Sequence, residues 1–181
     1  MARLIALLRG INVGGHKKVE MARLRELMGT LGYRDVRTYV QSGNVVFTGP
    51  EVPPIEVAQR LEERIAATFG FDVSVMVRSR EELADVIAAN PLRDVATDPS
   101  RHLVVFRDDE VDLTGAATVD PADFAPEAFH VRGREIYLWA PDGVRDSPVV
   151  KALSEKRLGG TATARNWRTL EKLLVLAYEA G

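Results

Sequence analysis

The 181-residue sequence contains no cysteine, and this absence excludes several kinds of chemistry at once. Without a thiol, the chain forms no disulfide, no thiolate metal site and no cysteine nucleophile. Long hydrophobic runs are also lacking: none approaches the roughly 20 residues that cross a bilayer, and the apolar run at the N-terminus is too short for a signal peptide. We therefore expect a cytoplasmic protein with no membrane partner.

Positive charge is not in excess either. The net charge is −2 and the sequence pI is about 6.0, whereas a protein that coats nucleic acid through bulk electrostatics is basic overall. Charge is nevertheless uneven, because seven basic and three acidic residues between Arg145 and Lys172 give that segment +4 and leave the rest of the chain at −6. A local basic segment on an acidic protein favours one defined anionic partner.

The first half of the chain predicts the order strand, helix, strand, strand, helix, strand. Hydrophobic spacing places these elements at Arg3–Arg9, Met21–Leu31, Val36–Gln41, Val45–Phe47, Pro53–Phe69 and Phe71–Val77. The second helix carries Ile55, Ala58, Leu61, Ile65 and Phe69 on its predicted inner face. Gly43 is predicted to be the first central residue of a type II′ turn that joins the second and third strands.

The second half predicts a similar order of elements. A capping box at Ser79-Arg80-Glu81-Glu82 begins a helix that ends at Asn90-Pro91. The later predictions are a strand at Leu103–Phe106, one short helix in the polar stretch 108–124, a hairpin around Gly133, a helix over Ser147–Leu158 and a last helix from Asn166.

This pattern predicts an α+β fold of two duplicated, ferredoxin-like subdomains of βαββα type, with an extra C-terminal helix. The predicted boundaries are residues 1–78 for the first subdomain, 79–100 for a helical connector and 101–181 for the second subdomain.

The first candidate site is the loop that follows the first strand. Gly10 to Gly15 has the glycine spacing of a phosphate-binding P-loop, but His16 precedes the lysine and no Ser or Thr follows Lys17 as a magnesium ligand. A looser anion site remains, because glycines let backbone N–H groups converge and two lysines stand before a helix. The alternative is a tight loop with solvated lysines. The predicted ligand-binding residues here are Arg9, Asn12, Gly14, Gly15, Lys17 and Lys18.

The second candidate is the block Arg165-Asn166-Trp167-Arg168. Asn166 suits a helix N-cap and Trp167 suits the core, while the two arginines offer charge-assisted donors for a carboxylate or phosphate. We predict that Arg165, Asn166 and Arg168 bind the same ligand as the glycine loop, with Lys17 or Lys18 facing one of the arginines. The alternative is an arginine pair on the surface without a binding role.

Other side chains give weaker indications. Tyr137 and Trp139 alternate with Ile136 and Leu138, so they would stack bases if their face of the sheet were open, and they would be structural if it were covered. The three histidines, His16, His102 and His130, lack the spacing of metal ligands. We predict no metal and no cofactor.

Three separated blocks resemble a known family. They are Ala6-Leu7-Leu8-Arg9-Gly10-Ile11-Asn12-Val13-Gly14-Gly15, Thr38-Tyr39-Val40-Gln41-Ser42-Gly43-Asn44-Val45-Val46-Phe47 and Arg165-Asn166-Trp167-Arg168-Thr169. Together they are similar to the bacterial family DUF 1697, whose function is unknown. The resemblance implies a duplicated α/β arrangement of two subdomains, and it assigns no activity, substrate or catalytic residue.

The sequence therefore predicts a protein that binds a phosphate-bearing ligand, either nucleic acid or a nucleotide. Two alternatives stay open: an enzyme of unknown reaction that uses His16 or a carboxylate, and a protein-interaction module. No catalytic motif is present, and the sequence does not define an oligomeric state.

Overall fold

A computed structural model of the chain describes residues 1–112 and 119–179. Across these residues the protein is a mixed α+β structure with two four-stranded antiparallel sheets and six α-helices. The chain divides into two units: unit 1 comprises residues 1–85 and the end of the chain from Glu171, and unit 2 comprises residues 86–170. No helix in the described ranges is both long and apolar enough to cross a membrane.

Unit 1 contains the first sheet. Its elements are β1 (Ala2–Leu8), α1 (Met21–Thr30), β2 (Arg34–Tyr39), β3 (Asn44–Gly49), α2 (Pro54–Phe69), β4 (Val75–Ser79) and the beginning of α3 (Arg80–Ala88). The strands lie in the order β2-β3-β1-β4, and each neighbouring pair is antiparallel.

The central strand β1 is buried on both faces, as its continuous apolar run predicts. Leu4, Ala6 and Leu8 belong to the core that includes side chains of α1 and α2, while Ile5 and Leu7, which point to the other face, are each 1% exposed. Burial of each of the leucine and isoleucine side chains contributes on the order of 1.5–3 kcal/mol. The strand therefore provides a rigid base for the loop that leaves its end at Arg9.

Unit 2 contains the second sheet. Its elements are β5 (His102–Arg107), a 3₁₀ helix (Pro121–Phe124), β6 (Ala128–Arg132), β7 (Glu135–Trp139), α4 (Pro148–Ala152), α5 (Glu155–Leu158), β8 (Ala162–Asn166) and the start of α6 (Trp167–Tyr178). The strand order is β6-β7-β5-β8, again antiparallel throughout. Ile136, Leu138 and Phe129 form its core together with Val149 and Leu153.

Two predicted helix caps are confirmed. The hydroxyl of Ser79 accepts a hydrogen bond from the Glu82 N–H at 3.1 Å, and the Glu82 carboxylate accepts one from the Ser79 N–H at 2.7 Å. At the start of α6, the side-chain oxygen of Asn166 accepts a hydrogen bond from the Thr169 N–H at 2.9 Å. Each cap satisfies a backbone donor that the helix itself leaves without a partner.

The predicted type II′ turn at Gly43 is wrong. Tyr39 pairs with Asn44, so the turn between β2 and β3 has four residues instead of two. Gly43 does adopt a positive φ of 86°, but it is the last residue of this turn. Its carbonyl accepts a hydrogen bond from the Leu8 N–H at 2.8 Å, so the turn is tied to the end of β1.

Three further expectations need correction. The predicted helix over Ser147–Leu158 is two short helices, α4 and α5, because Ser154 begins a new helix after α4 has ended. The strand β8 was not predicted. On α2, Ile55 is 50% exposed, and Val57 is buried instead.

The short helix predicted between residues 108 and 124 is a 3₁₀ helix at Pro121–Phe124. Residues 113–118 of the same stretch lie outside the described residues.

Candidate functional site

The glycine loop, residues 10–18, is a small hairpin. The His16 N–H donates to the Val13 carbonyl at 3.1 Å, and the Asn12 N–H donates to the Lys17 carbonyl at 3.1 Å. Gly14 and Gly15 are the central residues of the turn, with φ values of 59° and 78°. Two successive positive φ values are typical of a type I′ turn, which explains why glycine occupies both positions.

Asn12 holds this hairpin in place. Its side-chain nitrogen donates to the Val19 carbonyl at 3.0 Å and to the Gln41 carbonyl at 2.8 Å, and its side-chain oxygen accepts from the Val19 N–H at 2.9 Å. The amide of Asn12 thus connects the two ends of the loop and joins them to the β2–β3 turn. Its observed contacts are structural, and they shape the surface beside the loop.

The two lysines of the loop differ in their contacts. The Lys17 ammonium donates to the Asp72 carbonyl at 2.7 Å, so this side chain fastens the hairpin to the segment after α2. The Lys18 ammonium makes no hydrogen bond or ion pair with any residue that the structure describes. Lys18 therefore keeps all three of its N–H donors for solvent or a ligand.

A groove of about 280 Å³ lies beside the loop. It is lined by Asn12, Gly15, Lys18, Val19, Glu20 and Gln41. Val19 is 1% exposed and packs into the core, whereas Lys18 and Glu20 on either side of it are exposed. Because alternate residues of an extended segment point to opposite sides, the ammonium and the carboxylate both face outward at the groove.

The helix that follows begins later than the P-loop spacing would require. Glu20 is the N-cap of α1, and its side chain makes no capping hydrogen bond. Since the turn at Gly14 and Gly15 closes on itself before the helix starts, the loop does not form the continuous glycine-to-helix cradle of a P-loop. The backbone geometry therefore agrees with the sequence argument against a P-loop, in which His16 precedes the lysine and no Ser or Thr follows Lys17.

The structure brings together most of the predicted residues of unit 1. Asn12, Gly15 and Lys18 line the groove. Gly14 and Lys17 belong to the same hairpin, and Arg9 is exposed at its start, with its N–H bonded to the Ser74 carbonyl at 2.9 Å.

The arginine block belongs to unit 2. Arg165 lies in β8 opposite Val104 and is only 8% exposed. Its guanidinium donates to the Thr163 hydroxyl at 2.7 Å and to the Ala164 carbonyl at 2.8 Å, and burial lowers its pKa to about 10.

The two other residues of the block lie at the start of α6. Asn166 caps that helix, and its oxygen accepts the Thr169 N–H described above. Arg168 is exposed, and its N–H donates to the Pro99 carbonyl at 3.4 Å. Of the three predicted residues, Arg168 is thus the one whose charged group faces solvent.

The aromatic residues of β7 are structural. Tyr137 is fully buried, and its hydroxyl donates to the Val86 carbonyl at 2.7 Å; Trp139 is 8% exposed. A ring that stacks on a nucleobase must offer an open face. The alternative of an RNA-recognition sheet at these residues is therefore excluded.

The histidines have three separate environments. His16 is exposed in the glycine loop and His130 is exposed on β6. His102 is 2% exposed and stacks on Trp167, with 4.5 Å between ring centroids and 7° between planes. Burial lowers the pKa of His102 to about 4, so its ring is neutral at physiological pH. No group of three or more potential metal ligands occurs in the described part of the chain.

Three groove residues, Val19, Glu20 and Gln41, were missed from the sequence. Gln41 lies 23 residues beyond Lys18, and only the pairing of β1 with β3 brings the β2–β3 turn to the end of β1 where the loop begins. The signal available in the sequence was an antiparallel pairing of the first and third predicted strands. Such a pairing places the loop after the first strand and the turn before the third strand at the same end of the sheet.

The comparisons with known proteins identify a family. The model for a protein of unknown function, DUF1697, matches residues 1–137. No curated protein matches the chain. Among solved structures, the conserved bacterial protein SP0830 from Streptococcus pneumoniae is similar, with a TM-score of 0.74 and 25% sequence identity, and the match covers 97% of this chain and 98% of that chain. The first two of the three sequence blocks lie within the matched residues, and the block at Arg165–Thr169 lies beyond them. Because the family model matches well over half of the 181 residues, the resemblance to this family is confirmed and the chain belongs to the DUF1697 family.

Proposed function

We propose that this protein binds a phosphate-bearing ligand, a nucleotide or nucleic acid, at the glycine loop. The observation that supports the proposal is the groove lined by Gly15 and Lys18, in which the lysine ammonium has no protein partner among the described residues. An ammonium group binds phosphate through charge-assisted hydrogen bonds, which are about twice as strong as neutral ones. A glycine beside it lets a ligand approach the backbone without meeting a side chain.

Each loop residue has a distinct role in this proposal. Lys18 contacts the phosphate, and Gly14 and Gly15 form the turn that leaves the approach open. Asn12 and Lys17 act as positioning residues, because their side chains already bond to Val19, Gln41 and Asp72. Contacts from Arg9, Arg165, Asn166 and Arg168 to the ligand stay predictions.

A binding function is preferred to an enzymatic one because neither His102 nor Arg165, the side chains whose pKa is lowered to about 4 and about 10, lines the groove. The histidine with a strongly lowered pKa, His102, is buried against Trp167 in unit 2. A general acid or base must lie within hydrogen-bond reach of the reacting group. His102 does not line the groove, and the groove is where the proposal places the ligand.

We also propose that the two units are ferredoxin-like and related by duplication. The support is the matching strand order, β2-β3-β1-β4 and β6-β7-β5-β8, in which corresponding strands occupy corresponding positions. The predicted boundaries at residues 78 and 100 and the cytoplasmic location stay predictions.

Isothermal titration calorimetry with AMP tests the proposed function. We expect saturable binding that weakens as salt rises, because dissolved ions screen the attraction between the phosphate and the lysine. Lys18→Gln should weaken it about 10-fold, the effect of losing one charge-assisted hydrogen bond of about 1.4 kcal/mol. Lys156→Gln is the matched control, since it removes the same charge from an exposed lysine of α5. Absence of heat at millimolar AMP and phosphate, or equal affinity in the two variants, would contradict the proposal.

A further inference from the structure

The groove beside the glycine loop contains an acidic side chain, Glu20, for which the described residues provide no ion-pair partner. The carboxylate of Glu20 makes no hydrogen bond or ion pair within the described residues, and it does not cap α1. Among the described residues, the groove thus offers Lys18 as a cation and Glu20 as an anion without a partner, separated in sequence only by the buried Val19. A chain of phosphates gains affinity from the cations of its site, and a carboxylate in the site opposes that gain.

The balance of charge distinguishes between ligands. A single phosphate on Lys18 can keep its distance from Glu20, whereas successive phosphates along a nucleic-acid strand would bring a further negative charge toward that carboxylate. Like charges at close range near a protein surface repel each other. The same carboxylate accepts hydrogen bonds well, so it favours a hydroxyl or amine carried by the ligand.

Gln41 contributes an uncharged hydrogen-bonding side chain to the groove. Its backbone carbonyl is held by the Asn12 amide at 2.8 Å, so the residue has a fixed position. Its side-chain amide makes no hydrogen bond within the described residues and therefore has both a donor and an acceptor to offer. Lys18, Glu20 and Gln41 together match a ligand with one phosphate group and neighbouring hydroxyl groups.

The size of the groove agrees with a small ligand. Its volume of about 280 Å³ lies just below the roughly 300–1,000 Å³ typical of small-molecule pockets. That space holds a phosphate with a sugar or short polyol, and a longer ligand would extend beyond the groove.

We infer that the ligand is a small phosphomonoester bearing hydroxyl groups, and that Glu20 excludes nucleic acid from the groove. This inference rests on the proposed function. A sugar phosphate and a mononucleotide share the recognised chemistry, and they differ in whether a nucleobase extends beyond the groove.

The test compares four probes on the full-length protein by calorimetry: inorganic phosphate, glycerol 3-phosphate, AMP and a single-stranded thymidine 12-mer. We expect glycerol 3-phosphate or AMP to bind more tightly than phosphate, and the oligonucleotide to bind more weakly per site than either ester. A preference for AMP over glycerol 3-phosphate would assign the base a contact, and equal affinity would assign recognition to the phosphate and hydroxyl groups; either result supports the inference.

Two variants of α1 and its cap isolate the carboxylate. Glu20→Gln should improve oligonucleotide binding about 3- to 10-fold relative to glycerol 3-phosphate, because one repulsion of about 1 kcal/mol is removed. Glu26→Gln, which removes the same charge from an exposed position of α1, should leave that ratio within about twofold because screening weakens distant exposed charges.

The outcomes separate this inference from the proposed function. If phosphate and the esters bind but the oligonucleotide binds equally well per site, or Glu20→Gln leaves the ratio unchanged, the assignment of ligand class is wrong while phosphate binding stands. If none of the four probes binds, both are wrong.

Discussion

Replacement of Gly43 by alanine should destabilise unit 1 by more than the backbone strain of a side chain at positive φ alone would cause. A Cβ at this position would lie 2.6 Å from the Cβ of Leu8 and 3.0 Å from Cδ1 of Ile11. Leu8 belongs to the central strand β1, and a Cβ atom moves only with its backbone, so the contact cannot be relieved by a change of rotamer. Both neighbours are 1% exposed, and the core around them is closely packed.

Two contributions add at this position. A side chain at a positive φ costs roughly 1–2 kcal/mol, and an added methyl in a packed core costs about 1–3 kcal/mol more. We therefore expect the free energy of unfolding to fall by roughly 2–5 kcal/mol for Gly43→Ala. The type II′ turn predicted from the sequence accounts for the first contribution only, the roughly 1–2 kcal/mol of a side chain at positive φ.

Gly70 provides the matched control. Its φ is 82°, close to the 86° of Gly43, but no heavy atom lies within 4 Å of its Cβ position. Gly70→Ala should thus cost only the conformational part, roughly 1–2 kcal/mol. Urea unfolding followed by circular dichroism measures both variants, and midpoints are compared at equal slope. Equal losses of stability in the two variants would refute the argument from close contact.

Three other predictions concern single side chains. His102 is neutral in the folded state and protonates more readily when unfolded, so the free energy of unfolding should fall by up to about 3 kcal/mol as pH drops from 6.5 to 4. Urea titrations across this pH range should show that His102→Phe loses this part of the pH dependence. A pH profile of stability that is the same in the variant and the wild type would contradict this prediction. Asn12→Ala removes three hydrogen bonds and should raise amide hydrogen exchange in the glycine loop while costing about 1–3 kcal/mol of stability; unaltered exchange at Gly14 would argue against its positioning role. Arg168→Glu should weaken AMP binding and reduce its dependence on salt if this arginine contacts phosphate, because screening acts on the attraction that is lost. Thermal stability should change little because the side chain is exposed. An unchanged affinity and salt dependence would remove the arginine from the site.

Much of the fold could be predicted because local signals agreed with tertiary packing. The apolar run in β1 indicated a strand buried on both faces, and the reciprocal pattern of Ser79 and Glu82 indicated a helix start. These residues form the same contacts in the structure that their spacing predicts.

β8 could not be predicted because only one of its five residues, Thr163, favours a strand. Ala162 and Ala164 lack the branched side chains that favour strands, and Arg165 is a charged residue at a buried position. Pairing with β5 determines this strand, and such pairing between distant segments leaves no mark in local periodicity.

The candidate site was predicted in part for a similar reason. The glycines and lysines of the loop gave a local signal, whereas Gln41 reaches the groove only through the β2–β3 turn. The sequence also gave no means to distinguish Lys17, whose ammonium bonds to the Asp72 carbonyl, from Lys18, which has no such contact within the described residues. That distinction depends on how the end of α2 returns to the loop.

Titration of the ¹⁵N-labelled protein with inorganic phosphate, followed by two-dimensional NMR, tests phosphate binding at the glycine loop most directly. If phosphate binds at the glycine loop, we expect saturable shifts of the Gly15 and Lys18 amide resonances in the wild-type protein. The same resonances should shift far less in Lys18→Gln, while Lys156→Gln should behave as the wild type does. Shifts that do not saturate, that occur only outside residues 10–20 and 41, or that persist unchanged in Lys18→Gln would contradict the proposed site.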